Sequence, residues 1–245
     1  FHPAPSPFGI PYRSLYSRHV ANLFCAGRNH SATHCAMSAT RVMGTTSVMG
    51  QAVGTAAALA VRDGLTPRGV YEKRLRELQQ TLMDDDAYLP WHTRAVAERS
   101  VRARLRASEG DPEPLRNGID RPVGKVDNGW TGAPGAWVQY EFDGLCPVSG
   151  VRLVFDSQLD RKDPSGGGSR AQNMRYCYAR EAAPWRVPET LVKSFRIEAR
   201  RADGSWHVVQ RVDNNYQRLV RVPISAEASG VRWVAETTWG APNAP

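Results

Sequence analysis

The stretch that most constrains the fold runs from Asn22 to Val61, NLFCAGRNHSATHCAMSATRVMGTTSVMGQAVGTAAALAV, and falls into three parts. Leu23-Phe24-Cys25-Ala26, closed by Gly27, reads as a buried strand of the kind found in parallel sheets. Arg28 to Arg41 is polar, carries His30 and His34, and reads as a loop. From about Met49 the run MGQAVGTAAALAV turns helical, because alanine and leucine dominate it. The order strand, polar loop, glycine-bearing helix matters physically. A helix entered through glycine lets backbone N–H groups approach a ligand, and its positive end favours an anionic group.

On NLFCAGR, Ser38-Ala39-Thr40-Arg41-Val42 and MGQAVGTAAALA, with the lead-in Ile10-Pro11-Tyr12-Arg13-Ser14-Leu15, the segment resembles the C-terminal flavin-contacting motif of FAD-dependent oxidoreductases of the two-dinucleotide-binding-fold type. The resemblance spans roughly the first quarter of the chain. It implies FAD as cofactor, with Gly27 and Arg28 beside it. The backbone of Gly50, Gln51 and Ala52 would face the pyrimidine side of the ring, and Gly54 would let the helix pack tightly. Arg41 sits where similar flavoenzymes carry a substrate-side arginine, able to hold a carboxylate or polarise a carbonyl. His34 and His30 are candidate proton shuttles for hydride transfer with a small-molecule substrate.

Other readings of the stretch are open to test. Val42 to Val61 is uncharged over about the length of a membrane span, with Gly50-x-x-x-Gly54 at helix-dimer spacing. Thr45, Thr46, Ser47, Gln51 and Thr55 leave it only mildly apolar, so no membrane span is expected. A small-residue helix buried against a sheet is the plain structural reading.

An FAD site of this type also needs a GxGxxG after an early strand for the pyrophosphate, and none occurs in such a context. Gly166-Gly167-Gly168-Ser169-Arg170-Ala171 has the formal spacing but no strand lead, and reads as a flexible loop. With Phe1 at the start and prolines at 3, 5, 7 and 11, the chain is expected to be the C-terminal piece of a longer protein. Its missing N-terminal part would then be a partner. Alone, the piece is expected to be inactive and not to bind FAD.

The net charge of +8 is spread along the chain, which points to a solvated basic surface. Interleaved aromatic and basic nucleic-acid motifs are missing, so no nucleic acid is expected as a partner. Cys25, Cys35, Cys146 and Cys177 have no CxxC or metal-ligand spacing with the histidines, so no metal is expected. A Cys146–Cys177 disulfide is left open.

Asp63-Gly64 ends the first helix and Thr66-Pro67 opens a second, running to about Met83. Val70, Leu75, Leu78 and Leu82 lie near one face, and Asp84-Asp85-Asp86 stops it. From Ser100 the period becomes two: Val101, Ala103, Leu105 and Ala107 alternate with Arg102, Arg104 and Arg106. Strands are then expected at Ala136–Phe142, Val148–Phe155, Val192–Arg200, Trp206–Val212, Leu219–Ile224 and Val231–Glu236. Many strands with turn signals argue for a β-sandwich or jelly roll.

The order Ala107-Ser108-Glu109, Asn117-Gly118-Ile119-Asp120, Trp130, Trp137-Val138-Gln139-Tyr140, Ser149-Gly150-Val151-Arg152-Leu153, Phe195-Arg196-Ile197-Glu198 and Ala202-Asp203-Gly204-Ser205-Trp206 resembles a discoidin-like, galactose-binding-type β-sandwich. That resemblance implies ligand contacts in loops at one end, commonly to glycans, with Trp130, Arg161 and Trp185 as candidates. Trp137 and Trp206 are expected in the core.

The expected fold is therefore multidomain, α/β plus β. Residues 1–66 form the C-terminal part of an FAD-binding dinucleotide fold, 67–95 a helical connector, and 96–245 an antiparallel sandwich lacking its last strand. The functional expectation is the C-terminal portion of an FAD-dependent oxidoreductase with an appended sandwich. The alternative is a carbohydrate-binding or interaction module without enzymatic activity.

Overall fold

The computed structural model describes residues 7–158 and 186–244, which divide into two units, 1–95 and 96–245. The first is helical. Helix α1 spans His34–Thr40, α2 Met43–Asp63 and α3 Pro67–Asp84. Gly64 closes α2 in the left-handed region at φ 62°, a conformation that costs glycine little. Two residues later Thr66 accepts from the Gly69 amide at 3.1 Å, with Pro67 in the first turn, where its missing N–H loses no bond. The stop and start signals lie so close that α2 and α3 must fold back as a hairpin.

Ala56, Leu59 and Ala60 of α2 meet Val70, Leu78 and Leu82 of α3 in one apolar cluster that Tyr12 completes. Each fully buried leucine there contributes about 2–3 kcal/mol. The Tyr12 hydroxyl donates to the Pro67 carbonyl at 3.0 Å, and its ring lies parallel to Tyr71 with centroids 6.1 Å apart. Burial, followed by the neighbouring Tyr16, pushes the Tyr12 phenol above its ordinary value. On the surface, Arg62 pairs with Asp63 and Glu77 at 2.6 Å each, and Arg74 reaches Asp63 at 2.5 Å. These solvent-screened pairs link the α2 end to α3 but add little to stability.

Asn22–Ala26 does not form the expected parallel-sheet strand. Phe24 makes an isolated antiparallel bridge with Tyr16, supported by Cys25 N–H to Leu15 O at 2.8 Å and Ser17 N–H to Leu23 O at 2.9 Å. A strand of that kind exists only through its neighbours, and among the described residues only the preceding segment offers backbone groups to it.

The second unit holds a short helix α4, Glu98–Arg102, and strands β1 Arg104–Ala107, β2 Trp137–Val154, β3 Val192–Arg200, β4 Trp206–Val212 and β5 Leu219–Thr238. All pairs are antiparallel, in the order β1-β2-β5-β3-β4. The strand expected from Ser100 begins later. Val101 and Arg102 end α4, with Val101 half exposed and Arg102 paired to Glu98 one helical turn back.

Strands expected as pairs are continuous: β2 joins 136–142 to 148–155, and β5 joins 219–224 to 231–236. Pairing of β2 with β5 shifts register between Glu141 and Cys146 and again between Val148 and Gly150. Such bulges bend a strand without ending it. The bend produces the sandwich: Val222 and Ile224 from one half of β5 share a core cluster with Val231 and Ala235 from the other half. Phe155, Leu191, Val192, Phe195 and Ile197 fill the space between.

Outward residues of the same strands satisfy each other. Arg196 donates to Glu198 at 2.7 Å and to Glu236 at 3.0 Å, and Arg211 donates to Glu236 at 2.5 Å. Arg232 donates to Gln139 at 2.7 and 3.0 Å and lies 4.6 Å from the Trp137 ring centroid and 4.1 Å from that of Trp206. Both tryptophans thus stack on a guanidinium on the outer face and do not enter the core. Two-residue alternation is blind to which face is wet, and an aromatic ring covers a charged stem as readily as a methyl group.

Among the described residues no helix is long and apolar enough to cross a membrane, and no His, Cys, Asp and Glu side chains gather as a metal site. Cys25, Cys35 and Cys146 are free thiols. Cys177 and the Gly166–Ala171 run lie outside the described residues. The chain's end is held by a bridge between Ala244 and Gly132.

Candidate functional site

The site predicted from sequence is built on a turn, a short helix and a helix start. After Ala26 the chain enters a 3-10 turn, Gly27–Asn29, with Gly27 at φ 85°. A Cβ on Gly27 would meet no atom within 4 Å, so the glycine is needed there for its backbone angle and not for space. Its carbonyl accepts two hydrogen bonds from His30, from the backbone N–H at 3.2 Å and from Nδ1 at 2.7 Å. Since a carbonyl can only accept, the imidazole hydrogen sits on Nδ1. Ser31 N–H donates to Ser14 O at 2.9 Å and anchors the turn's exit.

The polar segment expected as a loop is partly helical. Thr33 caps α1 by accepting from the Ala36 amide at 3.3 Å, and Thr40 bonds back to the Ala36 carbonyl at 2.9 Å. His34 is the first residue of α1 and is exposed. Arg41, also exposed, ends α1 and places Nη1 2.7 Å from Met37 Sδ. Arg28 is exposed, whereas His30 is buried at 4 % exposure and its Nε2 has no partner among the described residues. The two histidines therefore occupy unlike surroundings: one is free to meet a solvent-borne group, and the other is enclosed with one nitrogen committed.

Helix α2 begins at Met43, a turn and more before the expected Met49. Weak helix formers occupy the early positions, Gly44, Thr45, Thr46, Ser47 and Val48, so propensity alone places the start too late. Thr46 offsets part of that weakness by bonding its hydroxyl to the Met43 carbonyl at 3.0 Å. The early start moves the free amides. In an α-helix the first N–H groups lack an intrahelical partner, and here those belong to Met43, Gly44 and Thr45. Val42 at the N-cap supplies no side-chain acceptor. Gly50, Gln51 and Ala52 lie inside the helix, where their amides bond the preceding turn. The expectation that these three begin the helix is thus corrected.

That first turn is open: Val42 is 51 % and Met43 83 % exposed. Further along, a Cβ on Gly44, Gly50 or Gly54 would meet nothing within 4 Å. Sequence reasoning missed Val42 to Thr45; their signal was an apolar N-cap ahead of Gly-Thr-Thr, a pattern that leaves helix amides unsatisfied.

With this geometry in place, the comparison with known families finds a match for one region. Residues 1–82 match the FAD dependent oxidoreductase family. The FAD dependent oxidoreductase match includes the turn, α1, α2 and most of α3, which is 82 of the 245 residues. No curated protein matches the chain significantly.

Among solved structures, a two-domain protein of unknown function from Bacteroides fragilis is similar over 62 % of this chain and 41 % of its own, at 14 % identity and a TM-score of 0.39. A module from Clostridium perfringens, solved in complex with GalNAc-β-1,3-galactose, is similar over 61 % and 94 % of the two chains, at 10 % identity and 0.39. The family 32 carbohydrate-binding module of a Streptococcus pneumoniae protein is similar over 58 % and 87 %, at 18 % identity and 0.35. Values this low add nothing about the sandwich beyond its own strand order.

For the sandwich itself, one predicted ligand residue is displaced. Trp130 is buried at 6 % exposure, donates Nε1 to the Glu109 carbonyl at 2.6 Å and meets Trp233 edge-on at 6.1 Å. A Cβ on Gly132 would overlap its ring, so Gly132 makes room for it. Trp130 is a core residue because its indole finds both an acceptor and an apolar bed. Arg161 and Trp185 lie outside the described residues.

Proposed function

We propose that residues 1–82 are the cofactor-contacting C-terminal segment of an FAD-dependent oxidoreductase that transfers hydride between a small organic substrate and flavin, with the sandwich appended. The carrying observation is the bare first turn of α2 in the segment that matches the family: among the described residues the amides at Met43, Gly44 and Thr45 have no acceptor, Val42 supplies no capping side chain, and there is open space at Gly44, Gly50 and Gly54.

The residues fit the group. Bound FAD supplies the two-electron acceptor. The open Gly27 turn lets backbone approach a planar ring without a side chain intervening. Fixed amide dipoles at the α2 start stabilise negative charge that develops beside them, at no reorganisation cost. Gly50 and Gly54 contribute a stretch of helix without bulk, whereas Ala52 packs into the α2–α3 cluster, and none of Gly50, Gln51, Ala52 and Gly54 offers a free backbone donor. Arg28 lies within the turn, with its exposed charge available to an anion. Arg41 holds a substrate carboxylate or polarises a carbonyl, and exposed His34 takes up the proton released when the substrate is oxidised. The bare side of α2 receives the remaining part of the oxidoreductase domain, the partner that completes the pyrophosphate half of the site.

A flavin titration tests this reading. Full-length protein is expected to carry yellow flavin absorbance, whereas the 245-residue chain titrated with FAD is expected to show no micromolar affinity. Full-length protein that stays colourless after reconstitution overturns the proposal.

A further inference from the structure

We propose that His30 is a positioning residue for the turn that meets the cofactor, an inference that rests on the oxidoreductase reading. A trans peptide holds its C=O and the next N–H antiparallel, so fixing the Gly27 carbonyl fixes the Arg28 amide. His30 grips that carbonyl twice, with its backbone N–H at 3.2 Å and with Nδ1 at 2.7 Å. Gly27, at φ 85° and with open space around it, is the position where such a peptide flips at little cost, because glycine tolerates both orientations. A clamp is needed there if the amide is to keep one direction.

The burial of His30 argues for the same role. Its Nε2 is enclosed without a partner, which opposes folding. An apolar side chain would fill the space without that cost. What imidazole adds is the Nδ1 hydrogen directed at Gly27. His30 therefore acts through the turn and not on the substrate, unlike exposed His34.

Three substitutions separate these roles. His30→Asn keeps an amide donor near the Nδ1 position, His30→Gln moves it toward Nε2, and His30→Ala removes it. In full-length protein, His30→Asn is expected to hold FAD within about threefold of wild type. Both His30→Gln and His30→Ala are expected to weaken it about tenfold, the scale of one lost hydrogen bond, and to shift the flavin absorbance. In the 245-residue chain, exchange of the His30 amide hydrogen accelerates in His30→Gln and His30→Ala and stays slow in His30→Asn.

Wild-type FAD affinity in His30→Ala, or unchanged exchange in His30→Gln, overturns the positioning role. So does a His30→Asn variant as weak as His30→Ala with an unchanged melting temperature. If wild-type full-length protein binds no FAD, the oxidoreductase reading itself falls and this inference with it; the exchange experiment then reports on the clamp alone.

Discussion

On the sandwich sheet the outward side chains of β2, β5 and β3 satisfy one another, whereas on α2 the outward positions Gly50 and Gly54 meet nothing within 4 Å. Each face belongs to a unit with a sound core: Phe195 and Ile197 are fully buried in one, Ala56 and Val70 in the other. The difference lies in what each face does with its own chemistry. Arg232, enclosed by Trp137, Trp206, Gln139 and Glu198, has its guanidinium claimed by the chain itself. The α2 glycines weaken a helix by about 1 kcal/mol each relative to alanine, and a Cβ at Gly44, Gly50 or Gly54 would meet no atom of the described residues within 4 Å. A face closed by its own side chains has a structural job. A face kept bare at a cost in stability is the one left open to a ligand or a partner.

The contrast can be broken most forcefully in the core. Phe195→Ala is expected to cost about 3–5 kcal/mol, because it empties a fully enclosed site among Phe155, Ile197 and Trp233. Thermal or denaturant unfolding followed by tryptophan fluorescence should show the sandwich transition move while the helical transition stays. Joint movement of both transitions would mean that the units do not unfold independently.

A smaller change sharpens the comparison. Gly50→Ala should stabilise the 245-residue chain by up to about 1 kcal/mol, since it improves helix propensity and its methyl meets no atom. The same substitution should weaken FAD binding in full-length protein, where the open side is used. Destabilisation of the chain itself would show that this side of α2 is already covered.

The smallest expected effect is electrostatic. Hydrogen bonds from Arg62, then Arg74, hold the Asp63 carboxyl well below the usual carboxylate range, and Arg62 lowers Glu77 in the same way. Groups depressed on folding lend stability above their ordinary values, 3.8 and 4.5, and lose it as pH falls below them. Melting of the helical unit should therefore drop modestly between pH 5 and 3, beyond the drop in Asp63→Asn, and added salt should shrink the difference. Because both carboxylates are solvated, equal acid sensitivity in Asp63→Asn would assign the pairs no role in stability.

Several elements were readable from local pattern. The span of α3 follows from Thr66-Pro67 at one end and the aspartates after Met83 at the other, and the bounds of β3 and β4 coincide with their alternating runs. At the site, the turn at Gly27 was readable from its glycine, whereas Arg41, expected to end a loop, is the C-cap of α1. The start of α2 was not readable, since Gly-Thr-Thr-Ser-Val argues against helix until Met49 and α1 are in place.

By itself the sequence determined where α3 begins and ends, the bounds of β3 and β4, and that a segment resembling FAD-dependent oxidoreductases precedes a β-rich one. Those features depend on caps, periods and motif order within a few residues. Only the tertiary structure decided that Phe24 forms a bridge instead of a sheet strand, that bulges at Glu141–Cys146 and Val148–Gly150 make one bent strand of two, and that His30 is enclosed while His34 is exposed. The bulges depend on a strand far along the chain, and the Phe24 bridge and the enclosure of His30 on segments outside their own short pattern, so no local period carries the identity of those partners.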